Sequence, residues 1–77
     1  MKQLLHKLRE AIELPENLIQ FRIGDNFYEL EKTRSGKWIL FTVFGKDLNM
    51  NVDKLDKLSR QQVELLLKNT YNNIEIY

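Results

Sequence analysis

The stretch Gly36-Lys-Trp-Ile-Leu-Phe-Thr-Val-Phe-Gly45 constrains this chain more than any other. Between the two glycines, Trp38 to Phe44 is wholly apolar, aromatic or β-branched, which suits a pleated strand. It is too short for an ordinary core helix and is bounded by turn residues. Gly45-Lys46 then offers a Gly-X pair, the chemistry of a two-residue hairpin turn. After it Leu48, Met50 and Val52 alternate with Asp47, Asn49 and Asn51, a period of two. A two-residue turn pairs Val43 with Leu48, Phe41 with Met50 and Ile39 with Val52. That register puts the odd-numbered residues of 38–44 toward the core and Trp38, Leu40, Thr42 and Phe44 on the other side. A slip of one residue reverses the assignment.

Two more hairpins are expected upstream. Leu18 to Gly24 alternates Ile19, Phe21 and Ile23 with Gln20 and Arg22. Phe27 to Thr33 alternates Tyr28 and Leu30 with Glu29 and Glu31. With Asp25-Asn26 as the loop, Ile23 faces Tyr28, Phe21 faces Leu30 and Arg22 faces Glu29. A two- or four-residue turn ending at Gly36 keeps Leu30 with the odd residues of the next strand. The expected core face is Ile19, Phe21, Ile23, Tyr28, Leu30, Ile39, Phe41, Val43, Leu48, Met50 and Val52.

Helical spacing flanks the strands. Leu4, Leu5, Leu8, Ala11 and Ile12 form one stripe over Lys2 to Glu13, and Pro15 disfavours helix at Leu14. Ser59-Arg-Gln-Gln62 fits a capping box, followed by a stripe of Val63, Leu66, Leu67, Thr70 and Tyr71. Glu64 and Lys68 are spaced as an i, i+4 pair, and Asn72-Asn73 can end the helix in left-handed geometry. Ile74 to Tyr77 alternates like a strand but is short enough to fray. The expected fold is α+β: an N-terminal helix, a four-stranded antiparallel meander and a C-terminal helix (αββββα). Both helices are expected on one face of the sheet, in a single domain spanning residues 1–77.

With 77 residues, 43% of them apolar and 30% charged, the chain has the composition of one small globular domain. The absence of cysteine excludes disulfides and thiolate metal sites. A net charge of +1 argues against general polyanion binding. No apolar run approaches the ~20 residues of a membrane span, and the charges inside Met1 to Lys7 do not suit a signal peptide. A cytoplasmic protein is expected. The Lys-, Asn- and Ile-rich vocabulary suits a small accessory or regulatory protein of a bacterium or phage.

Catalytic and metal sites are poorly represented. Asp47-x-Asn49-x-Asn51-x-Asp53 opens like a calcium loop, but Val52 and Leu58 stand where glycine and the bidentate glutamate belong. His6 has no cysteine or second histidine to share a zinc ion. Ser35 and Ser59 sit at a turn and a cap, away from any triad. Glu29 and Glu31, about 7 Å apart along one strand face, lack a cleft and an orienting group. The isolated glycines make no phosphate loop. No enzyme, cofactor, metal or small-molecule substrate is expected.

Two surfaces remain. Phe27, Trp38, Leu40 and Phe44 break the rule that the uncovered face of an antiparallel sheet is polar. They nominate a contact for a protein partner or a second copy. Alternatively, Lys32, Arg34 and Lys37 around one turn, with Trp38 beside them, could touch phosphates and stack on a base.

Overall fold

The computed structural model describes residues 15–77. The helix expected over Lys2 to Glu13, and His6 with it, lie outside the described residues. A short 3-10 turn, Pro15–Asn17, leads into β1 (Leu18–Ile23), then β2 (Asn26–Lys32) and β3 (Trp38–Phe44). A second 3-10 turn spans Val52–Leu55, and the helix α1 (Arg60–Thr70) and the short strand β4 (Ile74–Ile76) complete the chain. The fold is α+β. All four strands pair antiparallel in the order β3-β2-β1-β4, so the sheet is not a pure meander.

The pairing register of the first hairpin is shifted by two residues from the expected one, with the loop one residue earlier. Its loop is Gly24-Asp25, with Ile23 opposite Asn26, Phe21 opposite Tyr28 and Ile19 opposite Leu30. Gly24 takes φ 59, a left-handed position that favours glycine. A shift of two residues preserves the side on which each residue lies, so the inner face of β1 and β2 is the expected one. Arg22 does not meet Glu29; it lies opposite Phe27 and Glu75, and its guanidinium bonds Glu75 at 2.5 Å.

The second hairpin reverses the expected facing of β3. Lys32 pairs with Trp38, Glu31 with Ile39, Leu30 with Leu40 and Glu29 with Phe41. The connection therefore runs from Thr33 to Lys37, an odd number of residues rather than two or four. The Gly36 N–H bonds the Thr33 carbonyl at 3.0 Å, the Thr33 N–H bonds the Lys37 carbonyl at 2.8 Å, and Gly36 takes φ 91. An odd-length loop moves every side chain of the returning strand to the opposite face. Trp38 is consequently 3% exposed, while Ile39 and Phe41 are each 44% exposed.

The third hairpin does not form. Gly45 turns at φ 97, but two β2 side chains capture the next residue. Asn26 Oδ1 accepts the Lys46 N–H at 2.9 Å, and the Tyr28 hydroxyl donates to the Lys46 carbonyl at 2.7 Å. The chain then passes beneath the sheet instead of returning beside β3. Leu48, Met50, Val52 and Leu58 pack there against the core and Leu55 is buried, covering the part of the inner face that α1 leaves bare. The alternation of residues 48, 50 and 52 thus marks core contacts without a strand.

One core results, built from Ile19, Phe21, Tyr28, Leu30, Trp38, Leu55, Val63 and Leu67. Ser59 caps α1 as expected: its hydroxyl accepts the Gln62 N–H and the Gln62 side chain accepts the Ser59 N–H. Such a cap is worth about 1 kcal/mol. Of the expected stripe, Val63 and Leu67 are buried and Tyr71 is half-buried, whereas Leu66 and Thr70 face solvent. Glu64 pairs with Arg60 at 2.9 Å, one turn earlier than Lys68. Neither Asn72 nor Asn73 is left-handed; Lys57, at φ 64, is the one non-glycine residue of positive φ among the described residues. The fourth strand is Ile74–Ile76, docked beside β1 with the Tyr77 N–H bonded to the Gln20 carbonyl.

Tyr28 gives the fold an alkaline limit. Burial raises its hydroxyl pKa above the ordinary 10.0, and the charge of Asp47 adds to the effect. Above pH ~10 an unfolded chain releases this proton first, so the unfolded state binds fewer protons than the folded one and stability falls as pH rises. The loss approaches 1.4 kcal/mol per pH unit until the folded hydroxyl also ionises. Urea midpoints measured from pH 8 to about 11 should decline more steeply for the wild type than for Tyr28→Phe. At neutral pH that variant should lose about 1 kcal/mol with its hydrogen bond to Lys46. Parallel declines would remove Tyr28 as the cause.

Candidate protein interface

Most of the exposed large apolar side chains among the described residues lie on or beside β3, although Leu65 and Leu66 are exposed on α1. Ile39 and Phe41 project from the face opposite α1, and Phe44, at the end of the strand, is 65% exposed. Phe27 lies across from Phe44 and is 37% exposed. Their rings meet edge to face, centroids 6.4 Å apart at 64°. Between Phe27 and Tyr28 the register shifts, a bulge that sets Phe44 opposite Phe27. A shallow concavity of about 390 Å³, bounded by Phe27, Val43, Glu29 and Tyr77, adjoins this aromatic pair.

Of the residues nominated from sequence, Phe27 and Phe44 are therefore at the surface together. Trp38 and Leu40 are not: both lie on the inner face, Trp38 in the core and Leu40 packed against it. The Trp38 indole N–H donates to the Leu58 carbonyl at 3.1 Å, and Lys32 Nζ sits 5.8 Å from its ring centroid. Ile39 and Phe41, assigned to the core by the sequence, take their places outside. The legible clue is Gly36 near the end of the loop, since longer hairpin loops combine a tight turn with a positive-φ residue.

The basic turn is also rearranged. Arg34 and Lys37 are exposed, but Lys32 leans over Trp38 on the inner face and the indole is not available for stacking. Glu29, expected on a wet face, is 3% exposed and takes a hydrogen bond from Gln20 at 3.4 Å. The calcium-like run is occupied with backbone and side-chain work. Asp47 accepts the Thr42 hydroxyl at 2.9 Å, and Asn51 caps the second 3-10 turn by accepting the Asp53 N–H. Among the described residues no group of three or more acidic or histidine side chains converges as for a metal ion.

β3 stands at one margin of the sheet, with a neighbouring strand on one side only among the described residues. It contains no charged residue over seven positions. Natural edges are commonly blunted by charge, proline or brevity. β4, at the other margin, follows that practice with three residues centred on Glu75; β3 does not. No protein-family model, curated protein sequence or solved structure matches the chain. What the chain does has to be read from the chemistry of this surface.

Proposed function

We propose that the chain is a non-catalytic interaction module that engages another polypeptide through β3. The observation that carries this reading is the coincidence on one strand of a margin without a neighbouring strand among the described residues, an uncharged sequence and exposed Ile39, Phe41 and Phe44. An incoming strand would take up the backbone groups of the margin, and the outward side chains with Phe27 would set its register and choice of partner. The nucleic-acid alternative has less behind it, because Arg34 and Lys37 supply two exposed cations without an aromatic platform.

Immobilised full-length chain tests the proposal by capture from extract. Phe41→Lys should lose what the wild type retains, since it places a charge in the middle of the exposed row. Leu65→Lys, an equal change at an exposed position of α1, should retain it. Equal capture by the wild type and Phe41→Lys would sink the assignment to β3.

A further inference from the structure

We propose that the chain's own residues 1–14, which lie outside the described residues, pack across β1 and β2 on the outer face of the sheet, opposite α1 and not beside it. The proposal goes beyond the interaction reading and does not need it. It starts from two side chains. Leu18 and Glu29 both lie on the outer face, by the alternation that sends Ile19, Tyr28 and Leu30 inward. They are 4% and 3% exposed. Yet α1 and residues 48–58 pack on the inner face, and Leu18 is not part of the core that they cover. A sheet face with no layer over it keeps its side chains wet. Ile39 and Phe41, on the same outer face, are each 44% exposed, so the cover stops short of β3.

Attachment, length and charge identify the occupant. Residue 14 is joined to Pro15, and the turn Pro15–Asn17 leads directly into Leu18, at one end of the covered face. Leu4, Leu5, Leu8, Ala11 and Ile12 recur at helical spacing, an apolar stripe that a sheet face can bury. A helix from Lys2 to Glu13 would measure ~18 Å, close to the ~20 Å spanned by the six residues of β1. The face that it would meet carries the carboxyl groups of Glu29 and Glu31, while its one cation, Arg22, is bonded to Glu75. At helical spacing Lys7 and Arg9 border the stripe, one on each side, and Glu10 and Glu13 fall further round. The borders of the segment are thus opposite in sign to the carboxyl groups beneath them, as a cover over buried charge has to be.

The chain has no cysteine, so one introduced at Glu10, off the stripe, takes a single nitroxide. In full-length Glu10→Cys labelled in this way, the amide NMR signals of Leu18 and Glu29 should broaden strongly. Those of Leu65 and Lys68, on the exposed side of α1, should not. Leu8→Lys in the labelled chain should abolish the contrast. Without the label it should lower the urea midpoint more than Glu10→Lys does. Equal broadening of the two sides, or none at Leu18 and Glu29, overturns the proposal. A mixture of nitroxide-bearing chain with isotope-labelled chain that lacks the nitroxide reports contact between copies. Selective broadening of Leu18 and Glu29 in that mixture also overturns the proposal, by giving the cover to a second copy. Should Leu8→Lys fail to fold, the contrast within Glu10→Cys still decides.

Discussion

Truncation of Trp38 to alanine should cost about 3–5 kcal/mol of folding stability. The indole is buried among Leu30, Leu55 and the other core residues, and its N–H is fixed on the Leu58 carbonyl. Both the cavity and the unmade hydrogen bond weigh against the variant. A domain of this size has a total stability of roughly 5–15 kcal/mol, so Trp38→Ala should be largely unfolded in mild urea. Trp38→Phe separates the contributions: it keeps most of the bulk and strands the Leu58 carbonyl, at a cost of about 1–3 kcal/mol. Ile39→Ala, one position along and half-exposed, should stay within about 0.5 kcal/mol of the wild type, as surface changes usually do. Urea denaturation followed by far-UV circular dichroism reads all three. A larger loss from Ile39→Ala than from Trp38→Ala would mean that β3 faces the other way.

The second large effect is expected at Phe21. Its side chain is 1% exposed, its ring lies 5.4 Å from that of Tyr28, and it stands opposite Ile76 of β4. Phe21→Ala should cost about 3–5 kcal/mol, including an aromatic pair worth roughly 1 kcal/mol. The damage should be uneven. β4 has three residues and, among the described residues, pairs only with β1, so Ile74 to Ile76 should lose amide protection before β2 and β3 do. Uniform loss of protection would show that β4 is no separate unit of stability.

How much of this is legible in the sequence depends on what each feature requires. The α1 cap is local, and Ser59 with Gln62 announces it without reference to the rest of the chain. The inner face of β1 and β2 is legible because an error of two residues in the turn leaves sides unchanged. The side of β3 is not, because it hangs on whether the Thr33–Lys37 connection is odd or even. Gly36 hints at a longer loop, but the turn that it closes with Thr33, which settles the parity, is a backbone geometry that composition does not display. The alternation of Leu48, Met50 and Val52 reports burial faithfully and pairing falsely, since a segment laid under a sheet also buries every second side chain. The alternation of Ile74 to Tyr77 announces β4, but its length leaves the pairing undecided, for its stability comes from β1 and from contacts such as that of Arg60 with the Tyr77 carbonyl. The candidate surface inherits these uncertainties: Phe27 and Phe44 emerge directly, and Ile39 and Phe41 only once the loop is known.

The strand order β3-β2-β1-β4 also bears on how the molecule is made. On a ribosome β1 emerges early, yet its outer neighbour arrives much later: Arg22 and the Glu75 that it grips are 53 positions apart. At the usual ~5–20 residues per second of synthesis, the nascent hairpin waits some ~3–10 s with one margin bare. β3 is present by then with its own uncharged margin. For those seconds the growing polypeptide offers two sticky borders, and crowding of neighbouring nascent chains, or a chaperone that keeps them apart, decides how many reach the native state.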